Sequence, residues 1–358
     1  MWNFKRAELA LTVKKWFTEG LATSVAIIAP RRKGKTHFLL QDLSPILLAE
    51  YTVVYTSLWK NPNNPAEGIL LDVNTAIANN KSSIRKLITM APNISQLNIS
   101  NELLGKAEIV LANNPIPASQ SLIAELDASI KQLITTSKKP VVLMIDEIQH
   151  LATSPVFDSL SRTLRTILDE NQGSIKSVFT GSSRNYMHAL LGKSTAPFYN
   201  FSSFIDFPDL GSEYIDFLAG NLAAKNIMVA PNNLAKVFKD LDCSPYWMHK
   251  VIQEMVMNEG TASSAYDTVS SLMVEVEDLA GISENLHPQD RIVFLAVANQ
   301  ESPYSHAVRN EIDLKCTVQG SNPNIQRSLD RLQKQGLISN PHGNYMNEHA
   351  GLRKYLES

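Results

Sequence analysis

The chain has 358 residues, of which 44% are hydrophobic and 19% charged, and its formal net charge is −2. This composition excludes an intrinsically disordered protein, and the near-neutral charge excludes an overall electrostatic footprint for nucleic acid. No apolar stretch approaches the roughly 18 residues that a membrane span needs. Two cysteines, Cys243 and Cys316, are too few for a disulfide framework or a cysteine-based zinc site. We therefore expect a cytoplasmic protein of two or three domains with no membrane contact.

The first part of the chain alternates predicted strands with predicted helices. After an amphipathic helix over 4–19 come a strand over 24–29 and a helix that ends or kinks near Ser44, because Pro45 follows it. The later elements continue this alternation: strands over 52–59, 139–146, 177–180 and 204–207, and helices over 66–78, 119–135 and 156–170. This order predicts a three-layer α/β fold with a parallel sheet, in which ligands bind beyond the carboxyl ends of the strands. Residues 94–112 fit either a helix and a strand or a β-hairpin.

The second part of the chain has helical periodicity and no strand pattern until near its end. Helices are expected over 212–224, 232–241, 246–257 and 265–279. Three further helices, over 289–299, 305–312 and 324–335, precede a short β-ribbon, which is a winged-helix pattern. The predicted domains are a P-loop core over 1–210, a helical lid over 211–284 and a winged helix over 285–358.

The first strand enters a basic turn that opens into a helix. Its sequence is Ala29-Pro30-Arg31-Arg32-Lys33-Gly34-Lys35-Thr36, followed by His37. Strand, tight turn and helix start are the context of a phosphate-binding loop, in which backbone N–H groups and the helix dipole face an anion. In that role Lys35 contacts the β- and γ-phosphates of ATP and Thr36 holds Mg²⁺. The alternative is a basic loop on a solvated surface.

Two carboxylates, Asp146 and Glu147, follow the apolar run Val141–Ile145. A strand buried on both faces that ends in Asp-Glu is the Walker B arrangement. Asp146 would hold Mg²⁺ opposite Thr36, and Glu147 would orient and deprotonate the attacking water. Adjacent carboxylates at a strand end can also be merely solvated, but two motifs in the correct order favour the catalytic interpretation.

A further polar group is needed beside this strand to sense the γ-phosphate. The sequence Thr180-Gly181-Ser182-Ser183 ends the next strand, and Ser182 is our candidate, although an ordinary Gly/Ser turn explains the pattern almost as well. His150 is interpreted as a surface or interdomain residue. The eight histidines show no i, i+4 zinc pair, and no nucleophile elbow is present.

With these motifs the chain resembles the archaeal-type ATPases of the AAA+/STAND superclass over nearly its whole length. Residues 29–36 look like that family's G-P-R-R-x-G-K-T, Asp146-Glu147-Ile148-Gln149 matches its D-E-x-Q, and residues 180–183 match its strand-end G-S-S. Phe4-Lys5-Arg6-Ala7-Glu8-Leu9 is similar to its N-terminal F-x-x-R-x-x-E-L box. The resemblance implies a P-loop ATPase fold that binds ATP or ADP with Mg²⁺.

The resemblance also implies a contact from the lid to the nucleotide. Pro245 stands where the family's lid has G-x-P, so Pro245 is the expected lid contact. The chain departs from the family at Ala29 and Cys243, which replace glycines, and at Asn200-Phe201, where the family has a Gly-Arg pair. Without that arginine, slow hydrolysis or nucleotide binding as a switch is expected.

Three functions are compatible with these residues. The first is an ATP-driven switch in which lid and winged helix respond to the nucleotide and expose a surface for a protein partner or self-association. The second is an ATP-regulated DNA-binding protein of replication or transposition, whose recognition helix carries Arg327, Arg331 and Lys334. Residues 285–358 hold eight Lys/Arg and seven Asp/Glu, so weak phosphate affinity is expected and the first function is favoured. An inactive P-loop scaffold is disfavoured by the intact motifs.

Overall fold

A five-stranded parallel sheet forms the centre of the first part of the chain. The computed structural model describes residues 2–81, 115–258, 260–340 and 343–357. Within them the strand order is β2-β3-β4-β1-β5. The strands are β1 (Ser24–Ile28), β2 (Thr52–Ser57), β3 (Val141–Asp146), β4 (Ile175–Gly181) and β5 (Ser203–Ile205). Their parallel register brings the ends of β1, β3 and β4 to the same edge of the sheet.

Helices cover both faces of this sheet, because successive side chains of each strand point in opposite directions. Ala26, Leu143 and Phe179 join one hydrophobic core, whereas Val25 and Met144 join the other. Helices α3 (Pro65–Lys81), α4 (Gln120–Thr136) and α5 (Asp158–Glu170) pack on the first face, and α1 (Ala7–Thr18) and α2 (Lys35–Leu47) pack on the second. The predicted three-layer α/β core is confirmed.

Helix α2 continues past Ser44, near which the sequence predicted that it would end or kink. It begins as Lys35–His37, widens into a π-helical segment at Phe38–Leu43 and continues as Ser44–Leu47. Pro45 lies in the first turn of the last segment, where a missing N–H is tolerated. The π-helical segment shifts the hydrogen-bond register immediately before the proline, so the helix passes it.

A helical unit follows the sheet and has its own core. It contains α7 (Ser212–Ala223), α8 (Pro231–Asp240), α9 (Pro245–Asn258) and α10 (Ala262–Val276). The short helix α6 (Arg184–Met187) precedes this unit and lies between β4 and β5. The N-terminal residues Trp2 and Phe4 pack against this core, so the start of the chain contacts the helical unit as well as the sheet. The single helix expected over 265–279 is interrupted, because Asp278 is left-handed (φ 48°) and caps a new helix.

The C-terminal unit has a third core and combines helices with a two-stranded ribbon. The predicted helices are present, and two short ones were not expected, α11 and α15. The elements are α11 (Leu279–Asn285), α12 (Pro288–Ala298), α13 (His306–Lys315), α14 (Asn322–Lys334), β6 (Ile338–Ser339), β7 (Met346–Asn347) and α15 (Ala350–Glu357).

The two alternatives predicted for residues 94–112, a helix and a strand or a β-hairpin, concern residues outside the described part of the chain. In the part of the chain that the structure describes, no helix combines the length and the apolar character needed to cross a membrane.

Candidate functional site

The turn after β1 has the backbone of an anion-binding loop. Arg32 and Gly34 both have positive φ, 63° and 92°, and Gly34 precedes α2 without any side-chain cap. The first N–H groups of a helix have no partner within the helix, so they remain for a ligand at this end. The start of the loop is fixed to the sheet, because the N–H of Ala29 donates to the carbonyl of Gly181 at 3.2 Å.

The ammonium group of Lys35 folds back onto this loop. It donates to the carbonyl oxygens of Ala29 at 2.7 Å and Pro30 at 2.9 Å and is almost fully buried. Burial lowers the pKa of Lys35, while the carboxylates of Glu147 and Asp146 act in the opposite direction. Phosphate oxygens form stronger, charge-assisted bonds than neutral carbonyls do. Lys35 can therefore exchange these carbonyls for an anion bound by the loop.

Asp146 accepts hydrogen bonds from three hydroxyl groups at the end of β3. Thr36 donates to its Oδ2 at 2.6 Å, Tyr55 to the same atom at 3.0 Å, and Thr180 to Oδ1. Burial raises the pKa of Asp146, and Glu147 adds to this effect, whereas the bonds from Thr180 and Thr36 oppose it. The site is thus an oxygen-rich pocket beside the turn formed by residues 29–36.

This donor set fits Mg²⁺. The ion takes oxygen ligands and is usually held by one or two protein groups together with phosphate oxygens and water. Thr36 and Asp146 supply such a pair in contact with each other. Among the described residues there is no cluster of three or more His, Cys, Asp or Glu side chains that would form a metal cage.

Glu147 forms a small hydrogen-bonded group with Gln149, two residues further along the chain, and with Ser182, which follows the next strand. Its backbone is left-handed (φ 59°), and its Oε2 accepts from the hydroxyl of Ser182 at 2.7 Å and from the amide of Gln149. The amide of Gln149 also donates to Ser182 at 3.2 Å. The structure thus brings Ser182 and Glu147 together beside Asp146, and in this arrangement the Ser182 hydroxyl is bonded to the carboxylate.

The other basic residues of the turn connect it to the helical unit. Lys33 donates to Asp209 at 2.9 Å and lies 3.5 Å from Asp242, while Arg32 pairs with Glu277. The guanidinium of Arg32 also lies 4.8 Å from the ring centroid of Trp247, and its burial lowers the pKa to about 10. The side chains of Arg32 and Lys33 are therefore committed to protein partners.

Arg31, His37 and Pro245 lie at the edges of the same cleft. The guanidinium of Arg31 is 5.4 Å from the ring of Trp59, and burial lowers its pKa. The ring of His37 contacts the side-chain oxygen of Asn3 at 2.7 Å. Pro245 begins α9, and its neighbour Ser244 donates to the carbonyl of Arg32 at 3.2 Å, so the helical unit touches the loop directly.

All predicted site residues except the buried Ala29 line one cleft of about 2510 Å³. The cleft also receives side chains that the sequence did not point to. Glu348 and His349, from the turn after β7, approach the phosphate-binding loop, and Arg184 donates to Glu348 at 3.0 Å. No sequence signal marks these residues, because 164 positions separate Arg184 from Glu348 and only the packing of the C-terminal unit joins them.

His150 and Phe201 are explained by packing. His150 was predicted to be a surface or interdomain residue, but it is 2% exposed and packs within the first unit. It lies between Trp59 and Phe157 and contacts the carbonyl of Pro62 at 2.7 Å. Asn200 is left-handed (φ 52°), the conformation for which glycine is favoured, and Phe201 stacks on Phe179.

Comparison with known proteins shows similarity of fold. No protein-family model matches the chain, and no curated protein matches its sequence. The Walker-type ATPase PABY2304 of Pyrococcus abyssi superposes with a TM-score of 0.64 at 18% identity, covering 99% of this chain and 96% of that one. The ORC2 protein of Aeropyrum pernix in its ADP form has a TM-score of 0.55 at 15% identity, covering 98% and 92%. The chain thus shares the fold of these two proteins, which agrees with the fold class that the sequence motifs indicated.

Proposed function

We propose that the chain is a Mg²⁺-dependent ATPase whose nucleotide state controls how the helical and C-terminal units contact the sheet. One observation carries the proposal: the hydroxyl of Thr36 and the carboxylate of Asp146 meet at 2.6 Å beside a turn whose backbone suits an anion. The likeness to a Walker-type ATPase and to ORC2, which has been described with ADP and with ADPNP, supports it.

The proposed roles follow from the positions of the side chains. The backbone around Gly34 and the ammonium of Lys35 bind the phosphates, and Thr36 and Asp146 hold Mg²⁺, which neutralises developing charge on the phosphate oxygens. Glu147 orients the attacking water and takes its proton, and Ser182 contacts the γ-phosphate once its bond to Glu147 is released. Arg32 and Lys33 contribute through the backbone, since their side chains bind Glu277 and Asp209.

The proposed domains are a P-loop core over 1–210, a lid over 211–284 and a winged helix over 285–358. Separate hydrophobic cores around the sheet, in the helices of residues 212–276 and in residues 279–356 support a division into three units, and the third core begins at Leu279, before the proposed boundary at 284. Lys33 and Arg32 of the loop contact Asp242 and Glu277, and Arg184 beside the same cleft contacts Glu348 of the C-terminal unit. These contacts support a switch in which all three parts respond to the nucleotide. Both cysteines are free, which agrees with a reducing, cytoplasmic location.

DNA binding by the C-terminal unit is the less favoured function. Helix α14 carries three basic residues, and one of them, Arg331, donates two hydrogen bonds to Asp290. The bond from its Nε is 2.8 Å long. That pair removes much of the charge available to a phosphate backbone. We instead assign the unit to contacts within the chain and with a protein partner. A salt series with duplex DNA tests this, since salt-dependent binding at low ionic strength would favour the DNA function.

The ATPase assignment is tested by Glu147→Gln, which keeps the shape of the side chain and removes the base. We expect hydrolysis to fall about 100-fold or more while ATP still binds. Glu213→Gln, at an exposed position in the first turn of α7, is the matched control and should hydrolyse ATP at the wild-type rate. Equal rates for wild type and Glu147→Gln would contradict the role given to Glu147.

A further inference from the structure

The β6/β7 ribbon of the C-terminal unit docks on the segment that follows Ser182. The amide of Asn185 donates to the carbonyl of Ile338 at 3.0 Å, and the N–H of Asn340 donates back to Asn185 at 3.4 Å. Next to this clamp, Arg184 donates to Glu348 at 3.0 Å. The strand end that carries Ser182 is therefore attached to the C-terminal unit through two adjacent residues of α6.

Glu348 is a buried carboxylate at the edge of the phosphate cleft. Its side chain is 7% exposed, and burial raises its pKa, while Arg184, Ser339 and Lys35 act against that rise. The next residue, His349, lies 3.8 Å from Glu277, which pairs with Arg32 of the loop, so Glu348 lies beside the loop in the cleft that Lys35 also lines. A buried carboxylate is costly unless it is paired, and Glu348 forms its ion pair with Arg184.

Arg184 and Lys35 are therefore cations for which the carboxylate of Glu348 and the terminal phosphate of a triphosphate would compete. Both cations and Glu348 line the cleft that contains Ser182. A triphosphate on the loop places additional negative charge beside Glu348, and like charges in a buried site repel each other. A diphosphate ends one group earlier and leaves the Arg184–Glu348 pair in place.

We infer that Glu348 is an internal competitor of the γ-phosphate, so that ATP, but not ADP, displaces Glu348 from Arg184 and weakens the docking of the β6/β7 ribbon on α6. This inference rests on the proposed ATP site and names how that site is regulated. Linkage requires the effect to be reciprocal: if ATP opposes docking, docking opposes ATP by the same factor. Removing the charge of Glu348 must then favour ATP over ADP.

The test compares full-length wild type with Glu348→Gln, which retains the shape of the side chain. Glu311→Gln is the control, because Glu311 is a half-exposed residue of the same unit that pairs with Lys315 on the surface of α13. Affinities for ADP and for the non-hydrolysable triphosphate adenylyl-imidodiphosphate are measured by calorimetry with Mg²⁺. Glu348→Gln should raise the affinity for the triphosphate relative to ADP about tenfold, which is the effect of an electrostatic interaction that shifts a pKa by one unit. Glu311→Gln should leave this affinity ratio unchanged.

A second measurement uses the wild type alone. Hydrogen exchange of the Asn340 N–H, which is bonded to Asn185, should be faster with the triphosphate than with ADP. An unchanged affinity ratio in Glu348→Gln, or equal exchange with both nucleotides, would overturn the inference while leaving the ATP site intact. Wild-type protein that binds neither nucleotide would instead contradict the proposed function itself.

Discussion

The hydroxyl of Thr36 donates to Oδ2 of Asp146 at 2.6 Å, although 110 positions separate the two residues. The contact joins the first turn of α2 to the end of β3, and Tyr55 at the end of β2 reaches the same oxygen at 3.0 Å. Three neighbouring elements therefore converge on one carboxylate before any ligand is considered. Such prior placement of metal-binding oxygens lowers the cost of ordering them when a phosphate and its cation bind.

Gly34 provides a test of the loop backbone. Its φ of 92° is strained for any residue with a Cβ, although a Cβ there would meet no atom within 4 Å. Gly34→Ala should therefore destabilise the protein by about 1–2 kcal/mol through the backbone alone and should also weaken nucleotide binding.

Gly211→Ala is the matched control for this change. A Cβ at Gly211 also meets no atom within 4 Å, but its φ is −92°, which any residue adopts. Chemical denaturation should give wild-type stability or slightly more for the control. If both alanine variants behave alike, positive φ at residue 34 is not required.

Arg331 is expected to act on stability. It forms two bonds to Asp290, whose side chain is 1% exposed, so Arg331→Ala leaves a buried carboxylate without its cation. Because Arg331 itself is 40% exposed, solvent reduces the effect, and we expect a loss of about 2 kcal/mol in thermal or chemical unfolding. Arg327→Ala, on the same helix and bonded to Asn324, should change stability by less than about 0.5 kcal/mol. A stable Arg331→Ala variant that has lost DNA binding would favour the DNA function.

The pH dependence of stability should carry a contribution from His349. Burial and the nearby charge of Arg32 lower the pKa of His349 to about 4. The unfolded chain binds this proton near pH 6.5, so between these values unfolding is accompanied by proton uptake. The contribution of His349 to the free energy of unfolding is fully present above pH 6.5. On the order of 3 kcal/mol of it is lost as the pH falls toward 4.

His349→Asn should flatten the acid side of the stability profile relative to wild type. The exposed His306 at the start of α13 serves for comparison, and His306→Asn should retain the wild-type slope. The measurement is denaturant unfolding from pH 4 to 7. Parallel profiles for wild type and His349→Asn would show that His349 titrates in the folded state as it does in the unfolded state.

The sheet and the centre of the site were predictable because their causes are local. Val141–Ile145 is a continuous apolar run, and the strand it forms is buried at every position. The turn from Ala29 to Thr36 combines a preceding strand with a glycine at the one position that has φ near 90°. Once the strands lie parallel, their carboxyl ends share one edge of the sheet, which brings Asp146 near Thr36 although β4 lies between β3 and β1.

The remaining features depend on contacts between distant parts of the chain. Glu348 and His349 carry no motif, and their position follows from the docking of the β6/β7 ribbon on Asn185. His150 resembles a surface residue in sequence, but Trp59 and Phe157 enclose it. Helix α15 contains Gly351 and is only eight residues long, so its stability comes from packing in the C-terminal core and its local signal is weak.

The central claim is that residues 29–36 bind a nucleoside triphosphate, and calorimetric titration of Mg²⁺–ATP into wild type and Lys35→Ala tests it most directly. Loss of the charge-assisted bonds of Lys35 should weaken binding by about 2 kcal/mol or more, which is roughly 30-fold. Lys131→Ala, which removes an exposed lysine paired with Asp127, should bind as wild type does. Equal ATP affinity in wild type and Lys35→Ala would contradict the account.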